Sequence, residues 1–260
     1  MNIEDQTRYY TNSVSGRNEN DTRTKKLNFY YSGDQNDLTK EEVKDGSIFD
    51  LSWKEFLKTI PRTISEKNYS THILTVGFSI QPIIFSILAL KCKKVVLIYS
   101  EDTKGECSRI VAWLKRIQVF LKDDFQYTFI GQDEWNNKKC NYCVDSSNPA
   151  DIFKKLQVIV KEFKVNNEKI AVNITGGKKS MVVGAYMAAS INKWDVFYVD
   201  FREYENDKPK FGTEFLMELP NLNEVNDVVQ KLRNKKIKFS DVDQKFIKFI
   251  PQDLIPDRNG

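Results

Sequence analysis

Ala171-Val172-Asn173-Ile174-Thr175-Gly176-Gly177-Lys178-Lys179-Ser180-Met181, with the small apolar run Val182 to Ile191 behind it, decides how this chain folds. The apolar run into Asn173 and Ile174 is short and β-branched, as a central parallel strand should be. Gly176-Gly177 makes a turn that can take positive φ and lets a ligand approach the backbone with no Cβ in the way. Lys178, Lys179 and Ser180 then fall in the first turn of a helix, where free N–H groups and the helix dipole favour an anion. Two lysines there work against the dipole at about 0.3–1 kcal/mol each, a cost that an anionic ligand between them reverses. The small residues that follow (Val182, Val183, Gly184, Ala185, Ala188, Ala189) suit a helix packed closely on a sheet.

A Gly-Gly turn is also what an ordinary strand-to-helix connection contains, with its lysines in solvent. It is not a Walker A loop, because Val172 stands where the glycine five residues before Gly177 belongs. It also lacks the GxGxxG spacing of a dinucleotide fold.

The rest of the chain supplies the context. His72-Ile73-Leu74-Thr75-Val76-Gly77 reads as a parallel strand, Phe78 to Gln81 as a loop, and Pro82 as the N1 residue of a helix running to Leu90. Lys94 to Tyr99, Tyr127 to Ile130 and Asp195 to Phe201 read as further strands. Ser108 to Leu121 and Asp151 to Phe163 read as helices. This alternation predicts a Rossmann-like α/β fold, a mostly parallel sheet with helices on both faces. Three regions are expected: an N-terminal extension over 1–68, the α/β domain over 69–220, and a C-terminal tail or dimerisation element over 221–260. Within the extension, Leu27 to Tyr31 suggests a short strand, Ser32-Gly33-Asp34 a turn, and Leu51 to Ile60 a helix ended by Pro61. Phe215 to Leu219 suggests a last strand and Asn223 to Asn234 a helix.

Composition narrows the function. With 40% hydrophobic and 29% charged residues the 260-residue chain is ordinary globular material. Its net charge of +4 is too modest for general nucleic-acid binding, so no duplex is expected as a partner. No run of eighteen apolar residues points to a membrane, and no signal-peptide h-region is visible, so a cytoplasmic location is expected. Cys140 and Cys143 form a CxxC, but the lone His72 sits in an apolar run, and two ordinary loop thiols fit better than a zinc or redox centre. No metal and no cofactor are expected.

In open parallel sheets, ligands bind outside the carboxyl ends of the strands. Two turns there are rich in small and polar groups, Gly77 to Gln81 and Thr175 to Lys179. Together they suit a phosphate-bearing ligand with polar base edges. Neither brings a carboxylate pair, a Ser-His-Asp set or a metal cluster, so no catalytic residue is assigned.

Thr75-Val76-Gly77-Phe78-Ser79-Ile80-Gln81-Pro82 resembles the first signature of CARF (CRISPR-associated Rossmann fold) domains. Asn173 to Met181 resembles their second, usually Thr-Gly-Gly-Thr-Lys. The resemblance covers roughly His72 to Phe201. It implies a homodimer whose two-fold axis gathers both copies of each turn around a cyclic oligoadenylate, the second messenger of type III CRISPR antiviral defence, with cyclic tetra-adenylate favoured. The implied ligand-binding residues are Gly77, Phe78, Ser79, Gln81, Thr175, Gly176, Gly177, Lys178, Lys179 and Ser180. Lys179 matches the family lysine, and Lys178 departs from the usual threonine. The resemblance also implies a coupled effector. Neither a ribonuclease Arg-x-x-x-x-His motif (Lys67 stands five residues before His72) nor a metal-nuclease motif is present to supply it. Two alternatives stay open: a metal-independent ring nuclease that cuts the cyclic ligand, and a nucleotide-dependent enzyme on a generic Rossmann fold.

Overall fold

A computed structural model describes residues 56–60, 64, 67–121, 123–135, 140–162, 169–205, 208–209 and 213–256. The strand expected at Leu27 to Tyr31, the turn after it, and the first half of the helix at Leu51 to Ile60 lie outside these residues. The elements run β1 (Thr71–Thr75), α1 (Gln81–Leu90), β2 (Lys94–Ile98), α2 (Lys104–Leu121), β3 (Thr128–Ile130), α3 (Pro149–Glu162), β4 (Ile170–Asn173), α4 (Lys179–Asn192), β5 (Asp195–Phe201), β6 (Glu214–Leu219), α5 (Leu222–Arg233) and the one-turn α6 (Gln244–Ile247).

The main sheet has the order β3-β2-β1-β4-β5-β6. Its first five strands are mutually parallel, and β6 closes the edge antiparallel to β5. From β1 the chain moves outward to β2 and β3, then returns to β4 on the other side of β1 and continues to β5. With right-handed crossovers, that reversal puts α1 and α2 on one face and α3 and α4 on the other. The strand direction of travel therefore switches between β1 and β4, where loops diverge and ligands bind in sheets of this kind.

All five residues of β1 and all four of β4 are buried, as the continuous apolar runs predict for strands covered on both faces. Phe56 and Ile64 belong to the same core, and the Phe56 and Phe85 rings lie 5.0 Å apart. A second, smaller cluster of Val229, Val242, Phe246 and Ile250 holds the tail together.

Two helices start earlier than the apolar period predicts. The helix expected from Ser108 begins at Lys104, fed by a 3-10 turn over Glu101–Thr103 in which Ser100 and Thr103 bond reciprocally. Gln81, not Pro82, is the first residue of α1. Gly184 lets α4 press on α3, since a Cβ there would lie 2.4 Å from the Pro149 carbonyl oxygen. Gly184→Ala is expected to lower the unfolding free energy by about 1–3 kcal/mol through overpacking, net of the helix propensity alanine adds. Urea denaturation measures it; a more stable variant would mean that the two helices do not touch there.

Candidate functional site

Parallel pairing of β1 with β4, Leu74 opposite Asn173, carries the two sequence-predicted turns to the same edge side by side. They meet backbone to backbone. A Cβ on Gly77 would sit 2.6 Å from the Gly177 amide nitrogen, and one on Gly176 would sit 2.3 Å from the Thr75 carbonyl oxygen. The buried Thr75 hydroxyl donates to the Gly176 carbonyl at 2.6 Å and locks one turn to the other. Gly177 has φ +88°, which a side chain rarely adopts.

A buried polar chain supports the second turn from below. Asn173 accepts from the Thr175 amide through Oδ1 at 2.9 Å and donates through Nδ2 to Ser86 Oγ at 2.8 Å. Ser86 in turn lies 3.3 Å from His72 Nε2. The Thr175 hydroxyl accepts the Val199 amide at 2.7 Å, tying the turn to β5. Thr175 is therefore held by two strands, β4 and β5, before any ligand arrives. His72 is fully buried, and desolvation pushes its pKa down to about 3, so it stands neutral in the fold.

Lys178 is the extended N-cap of α4 and Lys179 its first helical residue, both exposed. No acidic residue stands in the first turn and no side chain caps it. The first amides to bond back are those of Met181 and Val182, both to the Lys178 carbonyl. The Lys179 and Ser180 amides thus face outward from the positive end of the dipole. This end combines two cations, outward N–H groups and a glycine floor, which is the chemistry of an anion site.

The ten predicted residues are not equally placed. Gly77, Gly176 and Gly177 form the floor, and Lys179 stands at the rim. Phe78 and Ser79 are exposed on the first loop, Phe78 to 60%. Gln81 is turned inward, its amide donating to Glu214 Oε1 on β6 at 2.8 Å, and so offers no amide to the turn. Ser180 donates its hydroxyl to the Ser146 carbonyl. Lys178 reaches Asp102 at 3.3 Å across the gap to the turn after β2. Both partners are more than half exposed, so the pair is weak and yields to a competing anion.

Three contributors are absent from the ten: Thr75, Asn173 and Asp102. A lone asparagine in an apolar strand was the legible signal for Asn173. For Asp102 it was an acidic pair, Glu101-Asp102, directly after a strand. A strap over residues 142–146 borders the site, bonded to Tyr99 on both sides (Tyr99 N to Tyr142 O, 3.0 Å; Val144 N to Tyr99 O, 2.8 Å). Just before that strap Cys140 is buried, and within it Cys143 donates to Glu101 at 3.3 Å. Burial pushes the Cys143 thiol up to about 11, which keeps it protonated. Among the described residues no group of three or more His, Cys, Asp or Glu side chains could hold a metal ion, and no helix is long and apolar enough to cross a membrane.

Residues 70–204, just over half of the chain, match the family model described as "HFX_2341_N:-like, N-terminal". No curated protein matches. Among solved structures, similarity extends to Can2 from Sulfobacillus thermosulfidooxidans in complex with cyclic tetra-adenylate, with 16% identity over 57% of this chain and 33% of that one, TM-score 0.38. It extends also to Enterococcus italicus Csm6 bound to cyclic hexa-2'-fluoro-hexa-dAMP, with 13% identity over 65% and 47% and TM-score 0.42. A third is VC1899 from Vibrio cholerae, with 14% identity over 50% and 30% and TM-score 0.35. This chain spans between about a third and a half of those proteins.

Proposed function

We propose that this chain, which belongs to the HFX_2341_N-like family, binds a cyclic oligoadenylate over the two abutting turns and acts as the sensor part of a type III CRISPR antiviral effector. The observation that carries the reading is the contact between Gly77 and Gly176-Gly177 at the point where strand order reverses. Two turns a hundred residues apart make one floor free of side chains, with Lys179 and a helix N-terminus beside it. Cyclic tetra-adenylate is the favoured ring. Phosphates take the lysines and the outward amides, and base edges take the polar loop groups.

The ligand sits on the two-fold axis of a homodimer. A symmetric ring uses one set of contacts twice. Helix α4, which starts at the site, carries no charged residue from Ser180 to Asn192. Its outer face shows Val183, Met187 and Ile191 one helical turn apart and about half exposed or more. A helix apolar all round is normally buried. A second copy laid along this stripe covers it and brings its own Lys179 to the same pocket.

Calorimetry with cyclic tri-, tetra- and hexa-adenylate, with light scattering on the same samples, tests the reading. The expected result is one intact ring per two chains. Lys179→Ala is expected to weaken binding tenfold or more (about 1.4 kcal/mol), as loss of a charge-assisted phosphate contact. Unchanged affinity in that variant would remove Lys179 from the site, and no binding of any ring would overturn the function. Recovery of a shortened linear product would make the chain a ring nuclease, in which the ribose 2′-OH loses its proton to solvent and attacks the adjacent phosphate, the P–O5′ bond breaks, the 5′-oxygen leaves and is protonated from solvent, and a 2′,3′-cyclic phosphate end remains, with the lysines stabilising the developing charge.

A further inference from the structure

A second concavity opens at the same edge of the sheet. It is a half-open cleft of about 440 Å³ lined by Lys104, Gly105, Ser108, Gln132 and Trp135. Lys104, Gly105 and Ser108 come from the first turns of α2, after β2; Gln132 and Trp135 come from the 3-10 turn after β3 and its C-cap. The volume is within the range of small-ligand sites, roughly 300–1,000 Å³.

The lining offers an ammonium, a carboxamide and a hydroxyl, from Lys104, Gln132 and Ser108. Trp135 is only 5% exposed and forms the inner wall of the cleft, while Gln132 is exposed at its mouth. Gly105 leaves its wall clear, since a Cβ there would meet nothing within 4 Å. The turn after β2 lies between the cleft and the first site. Asp102, two residues before Lys104, holds Lys178 at 3.3 Å. With strands about 4.8 Å apart, two strand steps place the cleft roughly 10 Å from the junction of β1 and β4.

We infer that this cleft receives one adenine base of the ring, an inference that rests on the function proposed above. Glutamine pairs with adenine through both carboxamide atoms, accepting from N6–H and donating to N7. That assigns Gln132 the edge of the base. Gly105 gives the flat side, and Lys104 meets the phosphate attached to that nucleotide. The glycine floor would then hold phosphates and this cleft would read the base, which makes Gln132 a specificity-determining residue.

The test is calorimetry with cyclic tetra-adenylate and cyclic tetra-uridylate on the full chain and on Gln132→Ala, Gly105→Val and Lys179→Ala. The wild type is expected to prefer the adenine ring. Gln132→Ala and Gly105→Val should each weaken it fivefold or more, and Gln132→Ala should also narrow the preference over the uracil ring. Gln132 is exposed, so Gln132→Ala reports on the cleft even where Gly105→Val fails to fold. Wild-type affinity and selectivity in the cleft variants, alongside weakened binding by Lys179→Ala, would overturn the base pocket and leave the function standing. Failure of the wild type to bind any ring would overturn both.

Discussion

Gly176→Ala is expected to weaken ring binding at least a hundredfold, about 2.8 kcal/mol, and to lower the unfolding free energy by about 1–3 kcal/mol. The new methyl would lie 2.3 Å from the Thr75 carbonyl oxygen and 2.6 Å from the Gly77 amide nitrogen. Both are backbone atoms of the other turn, so neither can swing aside. Relief comes only by separating the turns, which breaks the 2.6 Å bond from the Thr75 hydroxyl to the Gly176 carbonyl and opens the floor. Gly177→Ala makes a useful contrast. Its methyl would meet the Met181 side chain at 3.0 Å, which can rotate, and the main penalty is the positive φ, about 1–2 kcal/mol. Paired urea denaturation and calorimetry separate the two. A Gly176→Ala protein with wild-type stability and affinity would show that the turns do not abut as described.

The second large effect is a loss of stability in mild acid that traces to one side chain. His72 is neutral and fully buried, with its pKa pushed down to about 3 by desolvation, against about 6.5 in an unfolded chain. Between those values the unfolded state binds a proton that the folded state refuses. The contribution of neutral His72 is therefore complete above the unfolded pKa and falls as pH drops through it. The expected loss from pH 7.5 to pH 5 is about 2 kcal/mol for this one proton, before most carboxylates titrate. His72→Gln keeps a polar partner for Ser86 and does not titrate, so its stability should be nearly flat over the same window. Denaturation midpoints at a series of pH values decide the matter, and parallel curves for the two proteins would place the proton elsewhere. Because His72 lies at the foot of the Ser86–Asn173–Thr175 chain, acid should also loosen the second turn.

Much of this molecule was legible in the residues because the signals are local. Short β-branched runs, glycines at strand ends and a proline near a helix start act over a few positions, and they located β1, β2, β4, β5, α1 and α4 within a few residues. The general rule for parallel sheets, with the resemblance at Thr75 to Pro82 and Asn173 to Met181, was enough to expect that the two turns share a site. Element type and the identity of the two turns were thus properties of the chain itself.

Side-chain partners were decided elsewhere. Gln81 spends its amide on Glu214, 133 positions away, and Ser180 gives its hydroxyl to a strap 34 positions before it. Lys178 meets Asp102 only because β2 lies next to β1 and sends its loop over the same edge. The cleft between Gln132 and Lys104 exists for the same reason, as the space between the loops of two adjacent strands. Local periodicity carries no information about which strands are neighbours, since that order is set by how all the apolar faces are buried at once. By itself the sequence determined the strands, helices and glycine turns, because backbone preference and apolar spacing act within a few residues. Only the tertiary structure decided which donors and charges remain at the site, because those depend on partners that packing brings from a hundred positions away.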